Sequence, residues 1–129
     1  MLNDPISNLL TALKNAEDAG RDDLEFKPVN KLLVKVIQIM KEHGYVRDYE
    51  IVEDGKGGII RIMLSKNIND CGAIKPRFPV QKDDFVRWER RFLPAEGMGI
   101  IIVSTPQGIM THYDAKKKGI GGRLIAFVY

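Results

Sequence analysis

Ser104-Thr105-Pro106-Gln107-Gly108 puts two hydroxyls, a carboxamide and a glycine into five consecutive residues. Hydroxyls both donate and accept, so they suit phosphate oxygens, ribose 2′-OH groups and base edges alike. Pro106 fixes its own φ and lowers the ordering cost of binding, and Gly108 allows a sharp turn and a close partner. The plainer reading is an ordinary turn whose Ser and Thr bond their own backbone. Thr111-His112-Tyr113-Asp114 follows, with Thr111 as helix N-cap and an acid three residues on, a partial capping box. Lys116, Lys117 and Lys118 then sit in a last helical turn, where cations match the dipole and also suit phosphate. Three consecutive lysines fan around a helix, so they cannot all face one partner. Gly119-Ile120-Gly121-Gly122 reads as a helix C-cap and a tight turn. Hydroxyls, backbone amides and positive charge thus gather at one end of a scaffold, which suits a nucleic-acid backbone.

Other chemistries fit less well. Ser104 or Cys71 with His112 and Asp114 is formally a hydrolytic set. It lacks a nucleophile-elbow signature, and one helix does not easily aim His112 and Asp114 inward together. Cys71, His43 and His112 are too few for a four-ligand zinc site. Gly119–Gly122 lacks the spacing of a dinucleotide fingerprint, and Gly55-Lys56-Gly57-Gly58 lacks a phosphate-loop frame. No cofactor is expected. Phe85, Trp88 and Phe92 recur at helical spacing, which favours packing over base stacking.

These groups need elements to hold them. Asp4-Pro5 predicts a helix start, with Ile6, Leu9, Leu10 and Leu13 as its apolar stripe. Leu24–Lys27 predicts a short strand closed by Pro28. Asn30 predicts the cap of a second helix with Leu33, Val36, Ile37 and Met40 inward, stopped by Gly44. Tyr45–Glu53 and Ile59–Leu64 predict a hairpin around Asp54–Gly58. Gly72–Val80 holds Pro76 and Pro79, so it predicts extended chain unsuited to a central strand. A helix carrying Phe85, Trp88 and Phe92 is expected after Asp83 as N-cap, with Arg87, Arg90 and Arg91 on or beside its polar side, ended by Pro94. Gly99–Val103 and Leu124–Val128 predict apolar strands, with a Thr111–Lys118 helix between them. The expected fold is α+β in two small lobes. Residues 1–66 form an α-β-α-β-β unit, and residues 67–129 form a mainly antiparallel β unit with short helices.

The chain has 129 residues, one cysteine and a net charge of +3. Residues 1–71 carry ten Lys/Arg against twelve Asp/Glu, and residues 72–129 carry ten against five. The basic half is a mild pointer to a polyanion. A chain of this size needs no disulfide, and a lone cysteine fits a reducing cytoplasm. No stretch approaches a membrane span, so no membrane partner is expected, and the N-terminus has no signal-peptide pattern.

The order of these motifs resembles the small-subunit ribosomal protein family usually numbered eight. The residues that carry the resemblance are Asp4-Pro5-Ile6, Lys31-Leu32, Ser104-Thr105, Gly108-Ile109-Met110-Thr111 and Ala115-Lys116-Lys117-Lys118-Gly119-Ile120-Gly121-Gly122. Cys71–Val80 and Gly121–Tyr129 resemble the archaeal and eukaryotic branch. The resemblance implies no catalysis, direct binding to the central domain of small-subunit rRNA early in assembly, and neighbouring small-subunit ribosomal proteins as partners. Bacterial relatives also repress their own mRNA through an element imitating the rRNA. The resemblance places an irregular RNA helix, along its minor groove, against Ser104, Thr105, Gln107 and Gly108. Lys116, Lys117, Gly121 and Gly122 lie beside the phosphates, and Asp4, Asn8, Asn30 and Lys31 add backbone contacts. Short hydroxyl side chains fit the shallow minor groove of A-form RNA. Pro106 replaces a serine common in bacteria, and His112-Tyr113 replaces an Asp-Arg pair, so contacts from those positions are expected to be lost.

Overall fold

Local chemistry sets the first elements. In a computed structural model, which describes residues 4–27, 29–95 and 97–129, the Asp4 carboxylate accepts from the Ser7 N–H at 3.1 Å. Pro5 opens helix α1 (Pro5–Asp18), where a missing N–H costs nothing. Ile6, Leu9, Leu10 and Leu13 are buried along one stripe. Strand β1 (Asp23–Phe26) follows; Pro28 lies outside the described residues. Asn30 caps α2 (Lys31–Glu42), its Oδ1 accepting from the Leu33 N–H at 2.8 Å, and Leu33, Val36, Ile37 and Met40 are fully buried. Strands β2 (Val46–Val52) and β3 (Ile59–Leu64) form the expected hairpin.

The chain divides into two compact units, Met1–Asn69 and Asp70–Tyr129. In the first, three antiparallel strands lie in the order β1-β3-β2. Leu24 and Tyr49 pair with Ile62, and Phe26 and Ile51 pair with Ile60, so one face carries an apolar band. α1 packs on β1 and α2 on β2. The opposite face is charged: Arg61 bonds Asp23 at 3.0 Å and pairs with Glu50 at 3.8 Å. Ser65 Oγ and Asn67 Nδ2 donate to Gly44 O, holding that segment to the first unit. Asp70 and Tyr129 exchange backbone hydrogen bonds of 3.0 and 2.9 Å at the start of the second.

The second unit contains β4 (Cys71–Ala73), β5 (Pro79–Val80), α3 (Phe85–Phe92), β6 (Ile100–Thr105), β7 (Gly108–Thr111), α4 (His112–Lys118) and β8 (Gly122–Val128). The sheet runs β4-β8-β6-β7, with β5 pairing β8 beyond β4, and every pair is antiparallel. Pro79 sits in a two-residue strand paired only with β8, a position that tolerates its missing N–H. A register shift between Ile102 and Val103 leaves Ile125 as the extra residue of β8. Phe85 and Trp88 of α3 enter a core with Ile74, Val80, Ile101, Val103, Leu124 and Ala115. Stacked rings continue from Phe78 through Trp88 and Phe92 to Phe127 and Tyr129. The architecture is α+β, as the sequence predicts.

Three local expectations are corrected. Asp84, not Asp83, occupies the N-cap of α3, and its carboxylate takes Arg87 at 2.8 Å and makes no capping bond. The strand expected to end at Val103 continues through Ser104 and Thr105, because both find partners on β7. Strand β7 is an element that the sequence pattern does not predict. Met110 is buried and Ile109 half-buried, and pairing with β6 converts a presumed turn into a hairpin with only Pro106 and Gln107 between strands.

Candidate nucleic-acid interface

The β6–β7 hairpin positions the hydroxyls. Thr105 pairs with Gly108 and Ser104 with Ile109. The Thr105 hydroxyl donates to Gly108 O at 2.7 Å and accepts from the Gln107 N–H at 3.1 Å. It therefore staples the loop across its base, the bonding expected of a turn threonine. Gly108 adopts φ 119°, a region that side chains avoid. Pro106, Gln107 and Gly108 are exposed at the hairpin end. Ser104 is half-buried, and its hydroxyl has no hydrogen-bond partner among the described residues. The two hydroxyls thus differ: one braces the loop and the other makes no bond within the described residues.

Sheet register adds a residue that sequence reasoning missed. Arg123 pairs across the sheet with Ser104, and on its other side with Pro79. Directly opposed residues have Cβ atoms about 4.5–5.5 Å apart and share a face. Arg123 is exposed, and its guanidinium reaches Arg77 O only at 3.4 Å. Arg123 thus shares a sheet face with Ser104, while its guanidinium leans toward Arg77 on the β5 side. The one sequence signal for it is a charge placed directly after Gly121-Gly122, at the first turn of an otherwise apolar strand.

Gly121 and Gly122 have a structural reason of their own. A Cβ on Gly122 would overlap Ser104 O, and one on Gly121 would overlap Val80 O. These glycines let β8 lie tightly between β5 and β6, and so hold Arg123 and Ser104 in register.

Helix α4 separates the lysines. Thr111 caps it, Oγ1 accepting from the Asp114 N–H at 3.2 Å, and Gly119 ends it in a left-handed cap. Lys116 is ion-paired to Glu89 of α3, whereas Lys117 is exposed and makes no ion pair among the described residues. His112 is fully buried. Its Nδ1 accepts from the Ile101 N–H at 3.0 Å, so Nε2 carries the ring proton and lies 2.9 Å from Glu89 Oε1, without the alignment of a full hydrogen bond. Burial lowers the His112 pKa to about 4, outweighing the attraction of Glu89. The Tyr113 hydroxyl donates to Gly99 O at 3.1 Å. His112 and Tyr113 are therefore packing residues.

This arrangement removes the hydrolytic reading. The two His112 nitrogens face Ile101 and Glu89, not Ser104 or Cys71, and Asp114 is exposed. Cys71 is buried in β4. Among the described residues no group of three His, Cys, Asp or Glu side chains is placed to hold a metal ion. Trp88 is no open stacking platform: it is buried against Phe78, and the Arg91 guanidinium stands 5.5 Å from its ring centroid.

Asp4, Asn8, Asn30 and Lys31 belong to the first unit. Asp4 and Asn30 use a side-chain oxygen for capping, Asn8 is exposed on α1, and Lys31 is exposed at the first position of α2. A lysine at the positive end of a helix dipole gains nothing from it, so capping explains Asn30 but not Lys31.

The second unit is an antiparallel sheet that carries a braced hairpin, an open hydroxyl and, on β8 and α4, the exposed Arg123 and Lys117. The family described as Ribosomal protein S8 matches residues 4–129. The chain belongs to this family of rRNA-binding, structural proteins of the small ribosomal subunit, which is not a family of enzymes. Its partners are rRNA and other ribosomal proteins, and its setting is the ribosome. No helix among the described residues is long and apolar enough to cross a membrane.

Proposed function

We propose that this chain binds directly to the central domain of small-subunit rRNA and reads the minor groove of one irregular helix with its β6–β7 hairpin. What supports this reading most is the open Ser104 hydroxyl at the hairpin end of the sheet, with Arg123 paired to Ser104 across β6 and β8. Ser104 donates to a 2′-OH, base edge or phosphate, and Arg123 supplies a phosphate contact. Gln107 and Gly108 offer backbone and carboxamide at the exposed tip, and Lys117 reaches the flanking phosphates. Thr105 acts by fixing the loop before RNA arrives, and Gly121 and Gly122 by keeping the strands close. Asn8, Asn30 and Lys31 of the first unit add backbone contacts, with Asp4 serving chiefly as a cap. Residues 67–129 act as the principal RNA-binding lobe. The Cys71–Val80 and Gly121–Tyr129 segments favour the archaeal and eukaryotic branch. An element of the chain's own mRNA with the same shape would occupy the same surface.

The test is equilibrium binding to a central-domain rRNA fragment. Ser104→Ala should cost about 1.5–3 kcal/mol if its hydroxyl meets a charged oxygen. Arg123→Gln should weaken binding and flatten its salt dependence. Unchanged affinity in both variants would remove the hairpin as the reader.

A further inference from the structure

Glu89, Lys116 and His112 form a linked set that bridges α3, α4 and β6. Glu89 Oε1 contacts both Lys116 Nζ and His112 Nε2, and His112 Nδ1 is fixed by the Ile101 N–H. Side-chain exposure falls from 34% at Lys116 to 15% at Glu89 and zero at His112. The carboxylate thus lies largely buried against the His112 ring and meets the lysine from the protein side. An open cavity of about 310 Å³ adjoins the pair, lined by Val86, Leu93 and Pro94 together with Arg90. Glu89 is largely buried, so solvent screens this pair less than a fully exposed one.

We infer that Glu89 is a specificity-determining residue: it neutralises Lys116 and so keeps the lysine-rich end of α4 from gripping RNA indiscriminately. This inference rests on the RNA-binding reading above. Each unpaired lysine on this helix end can contact a phosphate, and such contacts supply affinity without sequence or shape information. Pairing one of them with a largely buried carboxylate lowers that generic term, and leaves recognition to the Ser104–Arg123 surface. Discrimination is gained here by suppressing the wrong complexes. The groups facing Glu89 are Lys116 from α4 and His112 at its start, with Arg90 on its own helix lining the same cavity. His112 is neutral near pH 7, so Lys116 is the cation that compensates Glu89 there.

The experiment is a double-mutant cycle on the full chain, with poly(U) as the noncognate probe and the central-domain fragment as the cognate one. In Glu89→Gln, Lys116 is released. The log–log salt slope for poly(U) should steepen by about 0.7, the value for one more phosphate contact on a single strand. Poly(U) affinity should rise severalfold at low salt, and the cognate-to-noncognate ratio should fall. Lys116→Gln alone should leave the poly(U) slope unchanged, and Glu89→Gln with Lys116→Gln should return it to the wild-type value. An unchanged slope in folded Glu89→Gln overturns the inference. So does a flatter slope in Lys116→Gln alone, since the lysine would then already touch phosphate. If Glu89→Gln does not fold, Lys116→Gln, a change at the rim of the unit, still decides. Failure of the RNA-binding reading appears separately, as a wild-type protein with no preference for the cognate fragment over poly(U).

Discussion

Replacing Thr105 by valine keeps the volume of the side chain and removes one hydroxyl that makes two bonds. Those bonds, 2.7 Å to Gly108 O and 3.1 Å from the Gln107 N–H, span the base of the hairpin loop. A net hydrogen bond contributes about 0.5–1.5 kcal/mol, and partial exposure places each of these toward the lower end. The pair is thus worth about 1–2 kcal/mol of loop order, and Thr105→Ser should retain most of it. Native-state hydrogen exchange reads this directly at the Gln107 amide. In Thr105→Val that amide should exchange roughly tenfold faster, because about 1.4 kcal/mol of local opening energy is a factor of ten. RNA affinity should drop by a similar factor, since the disordered loop must now be ordered on binding. Protection at Gln107 that is equal in wild type and Thr105→Val would refute the staple. A large loss of affinity with intact protection would move Thr105 into direct RNA contact.

Gly122→Ala forces a methyl group into Ser104 O, so β8 must part from β6; urea unfolding should register a loss of about 1–3 kcal/mol. Asn30→Ala removes the cap bond to the Leu33 N–H and should cost about 1 kcal/mol by the same assay, with Asn30→Asp close to wild type. His112 binds its proton near pH 6.5 in the unfolded chain and only near pH 4 when folded, so the unfolded state holds more protons between those values. Stability should therefore fall as pH drops from about 6.5 to about 4, by a few kcal/mol, and replacing His112 with Asn should flatten that part of the stability–pH curve.

The elements legible in the sequence are those whose signals are local. Asp4-Pro5 and Asn30 announce helix starts within three residues, and the stripes of α1 and α2 report their own buried faces. The turn between β2 and β3 is equally local. Ser104 and Thr105 read as turn residues because both are ordinary turn formers, whereas pairing with β7, and for Ser104 also with β8, sets their conformation. Strand β7 is four residues long and carries too little periodicity to declare itself. Asp83 and Asp84 are chemically equal candidates for the α3 cap, and the choice between them rests on how the chain arrives, with the Asp84 N–H already bonded to Gln81 O. The site shows the same division. Hydroxyls and lysines are visible as residue types, but their roles depend on long-range neighbours. Arg123 becomes a neighbour of Ser104 only through the sheet, and Lys116 is neutralised by a residue 27 positions away.

The most direct test of the account is footprinting of the purified chain on its own organism's small-subunit rRNA, wild type beside Ser104→Ala. The account predicts that the wild type protects one irregular helix of the central domain along its minor groove, and that Ser104→Ala loses protection there first. Uniform weak protection with no preferred helix, or an identical footprint from Ser104→Ala at matched concentration, would contradict it.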